Sequence, residues 1–248
     1  RCAPLAALGA ARGASGAAAA LARSEAALSH PSPSVGNASA AFVVTAAELV
    51  ASGGDRASAL AAVQQWAKRE HAAAASGKPA AIEAGGPSGW SHLSSGAQER
   101  MGKRTEEKSW APPGEQLVAC EEVVGWINKA LAGREEIPFS SSSPTALLNG
   151  EVGSVEIPLM HAFRHLQQGS SFEVAMRSVL AGGGDPSTNA MVVGSLVGAA
   201  VGLEGIPPRW LQAVLTCDTS LGQQRPPEYH PSQLPGLLDR LYAKKGGP

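Results

Sequence analysis

The sequence predicts an all-α protein, helices joined by loops with no sheet, and three observations lead there. Alanine and glycine dominate, while aromatic residues make up only 4% of the chain; small residues at that density suit closely packed helices better than a β-sandwich, which draws on β-branched and aromatic side chains. Apolar residues recur at helical spacing through most segments, bounded by capping and breaking residues. No convincing strand-like alternation of apolar and polar residues occurs anywhere. At 248 residues the chain can bury a sizeable core, as one large domain or two small ones.

The elements follow in order. Leu21–Leu28 reads as the end of an Ala-rich helix, stopped by His30-Pro31-Ser32-Pro33, because each proline removes a donor and biases its predecessor away from the helical region. Asn37 is placed to cap a helix through Ala38–Ala51, with Phe42, Ala46, Leu49 and Val50 on one face and Gly53-Gly54 as its stop. Asp55 caps the next helix, Arg56–Ala75, with Leu60, Val63 and Ala67 as its buried stripe. Residues 76–114 mix Gly, Pro, Ser and charge without periodicity and read as a surface insertion, in which Trp90 and Trp110 are expected to anchor the loop on the domain or on a protein partner. Helices are expected at Glu115–Ala132, at Val155–Gln168 with Pro158 in its first turn, and from a Ser170 or Ser171 cap through Leu180. They continue at 186–203, Pro208–Cys217 and Gln233–Lys244, with SSSSPT (140–145) as a linker. RPPEYHPSQLPG (225–236) is expected to lie extended across the surface.

Charge and cysteine usage set bounds on function. A net charge of −1 with only 17% charged residues generates no positive field that would draw nucleic acid or an acidic membrane. The most apolar stretch, Ala190–Leu203, is too short to span a bilayer. Cys2, Cys120 and Cys217 form neither a CxxC motif nor a disulfide framework, which reads as a reducing, intracellular compartment. The chain opens on Arg1, and Arg1, Arg12 and Arg23 stand among Ala, Ser and Gly ahead of the first acid, Glu25. That composition is shared by organelle transit peptides and by any Ala-rich helix without acids.

The segment GGGDPSTNAMVVGSLVGAAVGLEGIPPRW (182–210) carries the chemistry. Asp185 precedes Pro186, and aspartate at the cap followed by proline at the first helical position is a favoured helix start. The carboxylate can accept the amides of Ser187 or Thr188, and the helix dipole favours its charge. Gly194, Gly198 and Gly202, extended by Ala190, form a row on one face that lets a neighbour approach closely. Each glycine costs roughly 1 kcal/mol against alanine in a helix interior, so the helix is expected to be central, its N-terminus opening on a cleft.

The same segment resembles the C-terminal signature of the ADP-ribosylglycohydrolase family, crystallin-like members included, whose pattern is Gly-Gly-Asp-Thr-Asp-Thr-Asn-Ala, a Gly/Ala helix, then Ile-Pro and Trp. RCAPLAALGA, LSHPSPSVGNASAAFVVTAAELVASG and SVEIPLMHAFRHLQQGSSFEVAMRSVLAGGGD resemble further segments of the family in the same order. The resemblance covers nearly the whole chain outside 76–114. It implies one all-α domain of orthogonal multi-helix type over 1–248, matching the C-terminal two-thirds of the family and incomplete at its N-terminus. It also implies hydrolysis of ADP-ribose from arginine or serine side chains with a pair of magnesium ions. On this resemblance Asp185, Thr188 and Ser187 occupy metal-ligand positions, and His30, Gly183 and Gly184 lie where ADP-ribose would bind.

Two departures weaken that chemistry. Ser187 stands where the family has its second aspartate, which removes a charge and a hard oxygen ligand from a magnesium site. The family's N-terminal acidic motif has no counterpart, since Asp55, Asp185, Asp218 and Asp239 are the only aspartates and none adjoins another. The Glu pairs at 106–107, 121–122 and 135–136 sit on loops or solvated helix faces. His161 and His165, four apart, could hold a metal, although HAFRH lacks the intervening Glu of a metalloprotease; the plainer reading has one buried and one exposed. Two functions therefore stand side by side. One is a non-catalytic family member, a pseudoenzyme serving as a scaffold or interaction subunit. The other is part of an active magnesium-dependent hydrolase.

Overall fold

The structure is a computed structural model that describes residues 2–77, 112–134, 136–139, 154–220, 222 and 226–243. Among them it contains ten α-helices and no strand. They are α1 Ala3–Arg12, α2 Ser15–Ala27, α3 Pro33–Ala51, α4 Arg56–Ser76, α5 Pro113–Ala132, α6 Glu156–Gln168, α7 Phe172–Gly182, α8 Pro186–Val201, α9 Pro208–Leu215 and α10 Leu234–Tyr242. The all-α expectation holds. The insertion read at 76–114, with Trp90 and Trp110, and the 140–145 linker lie almost wholly outside the described residues.

Local chemistry fixes most boundaries. The Asp55 side chain accepts the amides of Ala57 and Ser58 and starts α4, Ser171 accepts the amide of Val174 and starts α7, and Asp185 with Pro186 starts α8. The Ala-rich N-terminal stretch forms α1 and α2, whose Ala6, Ala18, Ala19 and Ala22 enter the main core.

The centre of the bundle is α3, not α8. It packs against α1, α2, α4, α5 and α8, and Val43, Leu49 and Ala41 along it are fully buried. It is also the one described helix long and apolar enough to cross a bilayer, and its burial on five neighbours accounts for that apolarity as core packing. Its start differs from expectation. The helix begins at Pro33, so Asn37 lies inside it, buried, with its Oδ1 accepting Arg23 Nε at 2.9 Å.

The glycine row of α8 does receive a neighbour, by side chains rather than backbone. A methyl group at Gly194 would lie 3.0 Å from the Met176 sulfur, and one at Gly198 would lie 3.4 Å from the Phe172 ring, so the row seats α7. Gly202 does other work, ending α8 at φ +69°. Behind that end, Gly54 in the α3–α4 turn abuts the Ala200 carbonyl with no room for a side chain.

The tail is not extended. Pro227–Tyr229 and Pro231–Gln233 form 3₁₀ turns before α10, whose Tyr242 hydroxyl donates to the Ala7 carbonyl at 3.2 Å. Arg209 lies in the first turn of α9, within the helix expected at Pro208–Cys217.

Candidate functional site

The residues around Asp185 are built from the end of α7 and the start of α8. Gly183 (φ +76°) and Gly184 (φ +68°) take backbone conformations that side chains rarely adopt. Gly182 lies under the face of the Phe139 ring, which leaves no space for a methyl group. Phe139 is in turn stacked on His161, the centroids 4.2 Å apart and the planes 16° from parallel. Each of the three glycines therefore has a reason in the turn itself.

Asp185 Oδ1 accepts the Thr188 amide at 3.2 Å and the Ser187 hydroxyl at 3.2 Å. Hydrogen bonds from the Thr188 side chain and backbone, with a smaller one from Ser187, hold the Asp185 carboxyl below the usual aspartate range. The carboxylate is partly exposed, at the N-terminus of α8 and open to solvent. Asp185, Ser187 and Thr188 are thus brought together, as a helix cap. His30 is exposed at the end of α2, where its Nδ1 meets Ser29 Oγ at 2.9 Å, and no hydrogen bond joins it to residues 182–188 among the described residues.

A magnesium ion fits this donor set poorly. It asks for several hard oxygens in a near-octahedral arrangement, carboxylates foremost. Here one carboxylate is engaged by its own helix and two hydroxyls are turned onto it. Among the described residues no group of three or more His, Cys, Asp or Glu side chains converges. Glu121 is paired with His71 at 3.4 Å on an exposed face, and Glu122 accepts the Ser34 hydroxyl. Neither cysteine in the body is a poised nucleophile, since burial raises both, Cys120 to about 11.

His161 and His165 are both buried, contrary to the expectation of one exposed. His161 Nε2 faces the Pro138 carbonyl at 3.1 Å and His165 Nδ1 faces Ser170 Oγ at 3.0 Å. The interior of a helix pair claims them, because α6 lies between α5 and α8.

A family model for ADP-ribosylglycohydrolase matches residues 1–246. The chain belongs to the ADP-ribosylglycohydrolase family. No curated protein and no solved structure gave a match. The sheet-free helical architecture agrees with the all-α fold of the family.

Sequence reasoning missed two features of this family member. Asn189, next to Thr188, is 3% exposed and its Nδ2 has no partner. Its place on the buried stripe with Val193, Leu196 and Val197 was the available signal. The second is a polar cluster that ties three helices. Arg23 donates to Asn37, pairs with Glu70 at 2.8 Å and lies 5.4 Å above the Trp66 ring. Only separation in sequence hid it.

Proposed function

We propose that this protein is a non-catalytic ADP-ribosylglycohydrolase-fold protein that acts as a scaffold or interaction subunit. The observation that supports this reading most is the state of Asp185. The one carboxylate of the motif serves as a helix cap, with Ser187 donating to it from the position where a second carboxylate would be a ligand. A hydrolase of this kind relies on cation charge to polarise the ribose and activate water, and a lone capping aspartate holds such charge weakly. Exposed apolar side chains on the last helices, Leu234, Leu237, Leu238 and Val214, are consistent with a partner-facing role.

A second reading, an active magnesium-dependent hydrolase acting on ADP-ribosylated proteins, is favoured by the family match over 1–246 and by the exposed N-terminus of α8. Calorimetric titration with magnesium chloride and then with ADP-ribose separates the two, together with release of ADP-ribose from arginine- and serine-modified peptides. The scaffold reading expects no saturable magnesium binding and no release above the blank. Clear binding of both ligands, or turnover, overturns it.

A further inference from the structure

Two surfaces of the chain pair apolar side chains with unpartnered charges, and they match each other in size. The first is α10. None of its residues is buried, and α1 is its one substantial neighbour among the described helices. Leu234, Leu237, Leu238, Leu241 and Tyr242 recur at helical spacing as a single stripe. Leu234, Leu237, Leu238 and Tyr242 of that stripe are each at least 39% exposed. At about 3.6 residues per turn, Asp239 flanks the stripe on the Tyr242 side and Arg240 flanks it on the Leu237 side. Neither holds an ion pair among the described residues.

The second surface is a groove of about 600 Å³ between α4 and α5. Its floor is apolar, with Val63, Ala67 and Ile127 buried. The α4 wall carries Lys68 and His71, and the α5 wall carries Glu121, which faces His71 at 3.4 Å. Lys68 holds no ion pair among the described residues. Gly125 lies in the α5 wall, inside a helix, where glycine is disfavoured. A methyl group there would meet no atom within 4 Å. Packing within the described fold gives this glycine no reason; a helix approaching from outside would.

We propose that α10 of one copy docks in the α4–α5 groove of a second copy, its leucine stripe on the apolar floor, Asp239 against the Lys68 wall and Arg240 against Glu121. Length and charge both select this occupant. From Gln64 to His71 the α4 wall runs about 10 Å, and nine residues of helix run about 13 Å. A helix with one acidic and one basic flank meets a groove with one cationic and one acidic wall, so the charges fix the direction in which it lies. The contact joins two different surfaces. It therefore builds a ring where the rotation closes and a chain where it does not. A helix this short covers less than the ~800 Å² per partner of a standard interface, so association is weak, with a Kd of about 10–100 µM. The inference stands apart from the scaffold and hydrolase readings, since none of these residues belongs to the Asp185 turn.

Sedimentation velocity on the intact chain, from about 1 to 500 µM, should show association that grows with concentration. Two variants separate the surfaces. Gly125→Arg fills the groove from a position with no close neighbour, and Leu237→Ser with Leu238→Ser strips an exposed stripe. Each variant alone should stay monomeric. Mixed in equal amounts they should form a one-to-one complex, because one keeps the helix and the other keeps the groove. Lys68→Glu should weaken self-association about fivefold, and adding Asp239→Lys should restore it. An intact chain that stays monomeric, a single variant that associates as the unmodified chain does, or a mixture that stays monomeric overturns the proposal. Gly125→Arg shifting the melting temperature while the intact chain shows no self-association gives the groove to another occupant, residues 78–111 of the same chain included, and overturns it too. Should a variant lose its helical circular dichroism, the exposed pair Lys68→Glu and Asp239→Lys decides alone.

Discussion

Two polar clusters serve opposite ends. The first, Arg23 with Asn37, Glu70 and Trp66, joins α2, α3 and α4, and Asn37 and Trp66 within it are buried. The second, Asp185 with Ser187 and Thr188, is exposed and local to the first turn of α8. A cluster that draws on three helices changes only at a marked cost in stability, because the loss of a member leaves a buried or half-buried partner unpaired. A cluster confined to one turn can lose a member and leave the bundle standing. The contrast separates polar residues that hold the bundle together from polar residues that only start one helix.

The largest expected effect tests the first cluster. Arg23→Ala strands Asn37 and the partly buried Glu70 and should lower stability by about 3 kcal/mol in a denaturant titration. A loss under 1 kcal/mol would make the two clusters equivalent. Next, Gly182→Ala drives a methyl group into the Phe139 ring and should cost about 2 kcal/mol. Thermal melting followed by far-ultraviolet circular dichroism suffices to see it. Asp185→Ala removes only a cap, worth about 1 kcal/mol, and a cost of 3 kcal/mol or more would show that the motif is tied into the core after all.

The smallest effect is in acid. The folded Asp185 carboxyl lies below its ordinary value, so its contribution is present above that value and is lost as pH falls through the lower, folded one. Comparison of Asp185→Asn with the unmodified protein between pH 7 and 3 should show a slightly shallower acid loss in the variant. An identical acid profile would remove the carboxylate from the cap.

The helices were legible wherever a boundary is decided locally. Asp55, Ser171 and the Asp185-Pro186 pair each announce a helix start in adjacent residues, and the structure uses all three. Asn37 misled because a polar residue ahead of an apolar run looks like a cap. In the fold Pro33 has already begun the helix, and Arg23, fourteen residues away, claims the side chain. The centrality of α8 was inferred from its glycines, but those accommodate Phe172 and Met176 on one side only. The burial of His161 and His165 depends on the Pro138–Phe139 strap and the Ser170 turn, and no spacing rule within α6 reports either. At the candidate site, the cap geometry of Asp185 was legible from two residues, whereas any relation to His30 is a matter of distant chain segments.

The Gly54 turn seated on the Ala200 carbonyl has a mechanical corollary. It anchors the rear of α8 to the most deeply embedded rod of the molecule, while the front of α8 faces open water. A side chain at position 54 would have to push the last turn of α8 away from α3, so the fit between these two helices is set at a single glycine.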